Sequence, residues 1–90
     1  MRLIWLPEAK ADLREIINFI AARNQVAAHK LLLLIETKAE QLALYPYIHR
    51  LGRIASTREA VVHPNYILIY RVKSDEIDIL SGMHARQNYP

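Results

Sequence analysis

The chain opens on Arg2-Leu3-Ile4-Trp5-Leu6, a short strand-like run stopped by Pro7, whose missing N–H costs nothing in the first turn of a helix. From Glu8 the period changes. Ala9, Leu13, Ile16, Ile17 and Ile20 recur at helical spacing, with Lys10, Asp12, Arg14, Glu15 and Asn18 on the other side. Glu8 and Asp12 sit in the first turns, where the helix dipole favours negative charge, and the pattern predicts an amphipathic helix ending near Ala22. Asn24 is a plausible cap for a second helix running through Val26, Leu31, Leu34, Ile35, Lys38 and Leu42 to about Tyr45, where Pro46 ends it. The short break between the two predicts an antiparallel helical hairpin. Leu31 to Ile35 is apolar all round for more than a turn, more than one buried stripe requires, so the surplus is expected to face another helix or a partner.

Pro46 to Ser56 shows no sustained period and reads as a loop. Three runs of strand character follow, Arg58 to His63, Tyr66 to Lys73 and Glu76 to Met83, separated by the turn chemistry of His63-Pro64-Asn65 and Ser74-Asp75. Tyr66 to Val72 is apolar on both parities, as a central strand covered on two sides would be. The predicted class is α+β, in the order β-α-α-β-β-β, with a helical hairpin on one face of a small, mostly antiparallel sheet.

Composition narrows the picture. Ninety residues predict one domain spanning 1–90 with a modest core, and the absence of cysteine removes disulfides and thiolate zinc sites as supports. The hydrophobic fraction of 52% is high for a globular domain and points to apolar surface covered by another chain. Twelve basic and nine acidic residues leave a net charge of +3, which permits contact with nucleic acid or an acidic protein segment without requiring either. Only four apolar residues separate Arg2 from Pro7, and the longest purely apolar run, Leu31 to Ile35, is too short for a bilayer, so a soluble cytoplasmic protein without membrane contact is expected.

No Gly-rich phosphate loop, H-E-x-x-H pattern or suggestive carboxylate pair occurs, and neither a cofactor nor a metal is expected. The second half instead gathers His49, Arg50, Arg53, Arg58, His63, Arg71, His84 and Arg86 with Tyr66, Tyr70 and Tyr89. Arg71 shares strand parity with Ile67 and Ile69, so its guanidinium needs a carboxylate within the chain or an anion outside it. Metal-free RNA cleavage needs a base for the ribose 2′-OH, a cation for the crowded phosphate and an acid for the leaving oxygen. His84, Arg86 or Arg71, and Tyr89 are the candidates for those roles; the alternative is that Tyr89 packs on the sheet and His84 caps its end.

Gly52-Arg53, the run Thr57-Arg58-Glu59 through Tyr70-Arg71-Val72, and the ending His84-Ala85-Arg86-Gln87-Asn88-Tyr89-Pro90 resemble RelE/ParE-type toxins, also known as plasmid stabilisation proteins. The opening Leu3-Ile4-Trp5, with Ala9, Asp12-Leu13 and Ile16 to Ile20, extends the resemblance over nearly the whole chain. One departure is Ile54-Ala55-Ser56, where many relatives carry Pro-Gly. The resemblance implies the fold already read and the toxin half of a type II toxin–antitoxin system that arrests growth. It also implies a cognate antitoxin whose C-terminal segment wraps the toxin, and a higher-order complex of the two. Leu31, Leu34, Ile35, Arg58 and Arg71 are the residues expected to meet the antitoxin. RelE-like members cleave mRNA on the ribosome, whereas ParE-like members poison DNA gyrase. His63-Pro64-Asn65-Tyr66 with Tyr70-Arg71, and the ending His84-Ala85-Arg86-Gln87 with Tyr89-Pro90, resemble the ParE-like gyrase inhibitors more closely, and four lysines with a charge of only +3 agree with that resemblance. The alternatives are a ribosome-dependent endoribonuclease using His84, Arg71, Arg86 and Tyr89, and a degenerate toxin that keeps antitoxin binding alone.

Overall fold

Strand β1 (Arg2–Trp5) leads into helix α1 (Pro7–Ala21) and helix α2 (Gln25–Leu44), followed by strands β2 (Arg50–Leu51), β3 (Arg58–His63), β4 (Tyr66–Val72) and β5 (Glu76–His84). The structure, a computed structural model, describes residues 1–86. Pro7 occupies the first turn of α1 as expected. The Asn24 side chain accepts a hydrogen bond from the Ala27 amide at 3.0 Å and so caps α2, which stops one residue short of Tyr45. No helix among the described residues is long and apolar enough to cross a membrane.

The five strands lie in the order β1-β5-β4-β3-β2. β1 runs parallel to β5, and every other neighbouring pair is antiparallel. β2 corrects the expectation of an unbroken loop from Pro46 to Ser56: Arg50 and Leu51 pair with Glu59 and Arg58 at the edge of the sheet. Two residues are too few to show a period, which is why the pattern of the chain conceals this strand.

Strand alternation sorts the side chains onto two faces. On the helix side, Ala60 and Val62 of β3, Leu68 and Tyr70 of β4, and Ile77 and Ile79 of β5 form one cluster with Ala9 of α1 and Leu31, Ile35, Ala39 and Leu42 of α2. Ala28, Leu31, Ile35, Ala39 and Leu42 make a single buried stripe at helical spacing. Leu31 and Ile35 are therefore core residues, which corrects their assignment to an antitoxin surface. Their apolar area is already covered by this chain's own sheet. Leu33 and Leu34, outside the stripe, are the members of that run that reach solvent.

The β4–β5 register runs Tyr70↔Ile79 but Ile69↔Ser81, so Leu80 is an extra residue that bulges β5. Beyond it, Gly82 and His84 fall opposite Leu68 and Tyr66 on the helix side. The Asp12 carboxylate of α1 accepts a hydrogen bond from the Gly82 amide at 3.0 Å, tying the helix to β5 just past the bulge.

The turn from β2 to β3 is tight. The Gly52 amide donates to the Thr57 carbonyl at 2.8 Å, and the buried Thr57 hydroxyl donates to the Ile54 carbonyl at 2.6 Å. A Cβ on Gly52 would collide with the Thr57 hydroxyl. Ser56 adopts φ 66°, the left-handed region that glycine occupies without cost. Ser56→Gly is expected to stabilise the protein by about 0.5–1 kcal/mol, the strain relieved exceeding the added freedom of the unfolded chain. A rise in thermal midpoint of roughly 2–8 °C measures it, and a fall would show that Ser56 is unstrained.

Candidate functional site

The open end of the sheet gathers the histidines. His84, the last residue of β5, lies opposite Tyr66, with ring centroids 5.4 Å apart and the rings nearly perpendicular. The His63 ring approaches Tyr66 with a centroid separation of 5.7 Å. Both imidazoles are oriented by the backbone: His63 Nδ1 accepts from the Asn65 amide at 3.0 Å and His84 Nδ1 from the Arg86 amide at 3.2 Å. In the neutral ring each therefore carries its proton on Nε2. A cavity of about 330 Å³ opens between this end and α1, lined by Asp12, Glu15, Phe19, Tyr66, Met83 and His84 among others.

Arg71 is not part of that group. It lies opposite Asp78, at the far end of β4 and on the face turned away from the helices. The five residue steps of strand from Tyr66 to Arg71 span roughly 17 Å. His84 and Arg71 thus stand on opposite faces as well as at opposite ends, which corrects the expectation that they converge on one phosphate. Arg86 is exposed beyond the end of β5. Tyr89 lies outside the described residues. Arg71 lies across the strand pair from Asp78 and is the least of the influences on its charge. Asp78 is held below the usual carboxylate range, first by hydrogen bonding to Glu76 and then by Lys73, whose Nζ lies 2.7 Å from Asp78 Oδ2. On the same face the buried Glu59 pairs with Arg50 at 2.9 Å. Glu59 Oε2 and Asp78 Oδ1 have no hydrogen-bond partner among the described residues.

The third region is the connection from α2 to β2. Arg58 turns its guanidinium under this loop, Nη1 donating to the His49 carbonyl at 2.8 Å and to the Tyr47 carbonyl at 3.3 Å, with the Tyr47 ring centroid 5.1 Å away. The buried Tyr70 donates its hydroxyl to the Pro46 carbonyl at 2.7 Å. Arg58, Tyr70 and Ile79 are register partners across β3, β4 and β5, so both pins rise from one row of the sheet. Between them they hold out Leu44, Tyr45, Tyr47, Ile48, Leu51 and Ile54, all exposed. Arg58, expected to meet the antitoxin, is engaged with loop carbonyls and positions that loop.

Comparison with known proteins places this geometry. The model of the ParE toxin of the type II toxin–antitoxin system parDE matches residues 3–89. The chain belongs to the ParE toxin family. It is 40% identical to the candidate toxin Y4kP of Sinorhizobium fredii, over 99% of this chain and 93% of that one. To the toxin RelE2 of Caulobacter vibrioides it is 36% identical, over 93% and 94%. Among solved structures, the chromosomal ParDE system of P. aeruginosa superposes with a TM-score of 0.82 at 24% identity, covering 93% of this chain and 95% of that one. A YoeB/ParE toxin from Agrobacterium tumefaciens gives 0.67 at 13% identity over 99% and 100%. The helical hairpin on a small sheet is the fold of these toxins. As a ParE-family toxin, the chain has a cognate antitoxin as its partner.

Within this toxin the sequence motif Thr57-Arg58-Glu59 and the distant Tyr70 acquire a shared purpose, since both Arg58 and Tyr70 pin the α2–β2 loop. The exposed loop, absent from the sequence-predicted site, carries a signal of its own: from Gln41 to Arg58 the chain holds three arginines and no Asp or Glu.

Tyr70→Phe leaves the core packing in place and orphans the Pro46 carbonyl, and a loss of about 1–2 kcal/mol is expected. Hydrogen exchange of the amides from Tyr47 to Leu51 should quicken more than that of β5, and a uniform change across the sheet would remove Tyr70 as a loop pin. A second expectation concerns His49, whose ring meets Tyr70 edge-on at 6.1 Å. Its pKa is lowered from the ordinary 6.5, first by burial and then by the charge of Lys38. The unfolded chain therefore binds this proton more readily than the folded one, and stability rises with pH. The contribution is fully present above pH 6.5 and is lost as pH falls from there toward the lower folded value. Denaturant midpoints at successive pH values should decline over that window in the native chain and decline less in His49→Gln.

Proposed function

We propose that this toxin arrests growth in the cytoplasm by poisoning DNA gyrase, through binding and not through catalysis. The observation that carries the reading is the placement of Arg71 and His84 on opposite faces of the sheet. A ribonuclease must bring base, acid and cation within hydrogen-bond reach of one phosphate, and Arg71, the candidate cation on the sheet, does not meet His84. A poison needs only a surface with different affinities for two states of its target. If the toxin binds the DNA-cleaved state of gyrase more tightly than the resealed state, each 1.4 kcal/mol of preference raises the cleaved-to-resealed ratio about tenfold. The match to the ParE family over residues 3–89 and the modest positive charge support this branch.

A second reading, cleavage of ribosome-bound mRNA, draws on the likeness to a relative named RelE2 and on His84 beside a cavity, with Nε2 as its protonated nitrogen when neutral. The two separate cleanly. Purified toxin incubated with gyrase, ATP and supercoiled plasmid is expected to accumulate cleaved DNA covalently held by the enzyme. Induced cells should show no toxin-dependent cuts in translated mRNA by primer extension. Intact plasmid together with mRNA cuts that disappear in His84→Ala would replace the first reading with the second.

A further inference from the structure

Leu44, Ile48 and Leu51 are 71%, 71% and 73% exposed, and Tyr45, Tyr47 and Ile54 stand beside them within the same eleven residues. Large apolar side chains scattered singly over a surface need no explanation, but six exposed within eleven residues mark a place where another molecule binds. The group is also held in position. The Tyr70 hydroxyl, the Arg58 guanidinium and the pairing of β2 with β3 fix its backbone from below. A partner therefore meets a surface whose ordering cost has already been met in folding.

The electrostatics select the partner's chemistry. No Asp or Glu occurs between Glu40 and Glu59, while Arg50, Arg53 and Arg58 fall within that interval. Glu59 is buried and offsets part of the Arg50 charge, which leaves the interval net positive through Arg53 and Arg58. Lys38 of α2 is close enough to act on His49 and adds to the positive rim. A nucleic acid would suit the arginines but not the aliphatic centre formed by Leu44, Ile48 and Leu51, which offers it neither a hydrogen bond nor a stacking face. An amphipathic protein segment suits both parts.

We infer that the α2–β2 loop docks an acidic, amphipathic segment of the cognate antitoxin, its apolar side chains on Leu44, Ile48 and Leu51 and its carboxylates toward the rim of Lys38, Arg50 and Arg53. The inference rests on the antitoxin partnership and is independent of which target the toxin attacks.

The test uses the full-length toxin and the antitoxin encoded with it, with binding measured at low and high salt. Leu51→Glu is expected to weaken binding at least tenfold, and Leu51→Lys clearly less, because only the former repels acidic side chains. Affinity of the native pair should fall as salt rises. In cells, Leu51→Glu should still arrest growth while the antitoxin no longer rescues it. Hydrogen exchange of the native toxin should show amides 44–54 protected on complex formation, a readout that does not depend on how any variant folds. Unchanged exchange there, or an Ile48→Glu, Leu51→Glu double variant that binds antitoxin within twofold of the native chain, would overturn the proposal. So would Leu51→Lys binding as poorly as Leu51→Glu, which would remove the acidic partner. Loss of growth arrest with antitoxin affinity intact would assign the surface to the toxin's target.

Discussion

The hydroxyl of Tyr70 is a single polar group at the end of a fully buried side chain, and it decides how the rest of the molecule is arranged. The ring lies in the core beneath α2, on the central strand, with Arg58 and Ile79 beside it in register. A phenol buried this way must find an acceptor or lose the free energy of an unmet hydrogen bond, on the order of 1–3 kcal/mol. The Pro46 carbonyl meets the requirement at 2.7 Å. That carbonyl sits just past the end of α2, where helix termination leaves main-chain oxygens without partners. One contact thus satisfies a core donor and fixes where the chain leaves the helix. Burial raises the pKa of this phenol and the nearby Arg58 charge lowers it, with burial the larger effect, so the hydroxyl stays a proton donor.

The second constraint is that only one face of the sheet receives the helices. The extra residue at Leu80 changes which residues of β5 face α1, and Asp12 secures the change by accepting from Gly82. His84 is thereby turned into a cleft with Tyr66 and Phe19, while Arg71, Asp78 and Glu59 remain on the other face. Basic groups close together in the sequence of the second half are consequently divided between two surfaces with different environments. One is aromatic with an acidic wall from Asp12 and Glu15; the other is a band of paired charges over the buried Ile67 and Ile69.

Much of this architecture is legible in the chain, for identifiable reasons. Pro7, Asn24 and Pro46 mark helix limits by local backbone chemistry, which tertiary contacts did not override. The three long strands show through their composition and the turn residues between them. The parity of Arg71 relative to Ile67 and Ile69 was also legible, and it already placed the guanidinium away from Tyr66 and Tyr70. What it could not convey was that His84, past the bulge, shares the face of Tyr66. A bulge is a register shift between two strands and has no signature in either one alone. Leu31 and Ile35 illustrate a different loss. A continuous apolar run hides its own stripe, and only the outward extension to Ala28, Ala39 and Leu42 reveals which members face inward.

A toxin neutralised by a partner acts in its free form, and this shapes how its surface must be built. A partner that binds only the folded state stabilises it in proportion to the logarithm of its concentration over the dissociation constant. When the antitoxin is absent that contribution vanishes, and a 90-residue chain without disulfides must stay folded on its own modest core. Exposed Leu44, Ile48 and Leu51 contribute nothing to that core and favour aggregation if the loop carrying them unravels. The Tyr70 and Arg58 pins answer both needs, because they draw on the sheet rather than on the partner to hold the loop. The cost of ordering at the interface then falls on the antitoxin's segment, so the toxin presents the same surface whether free or bound.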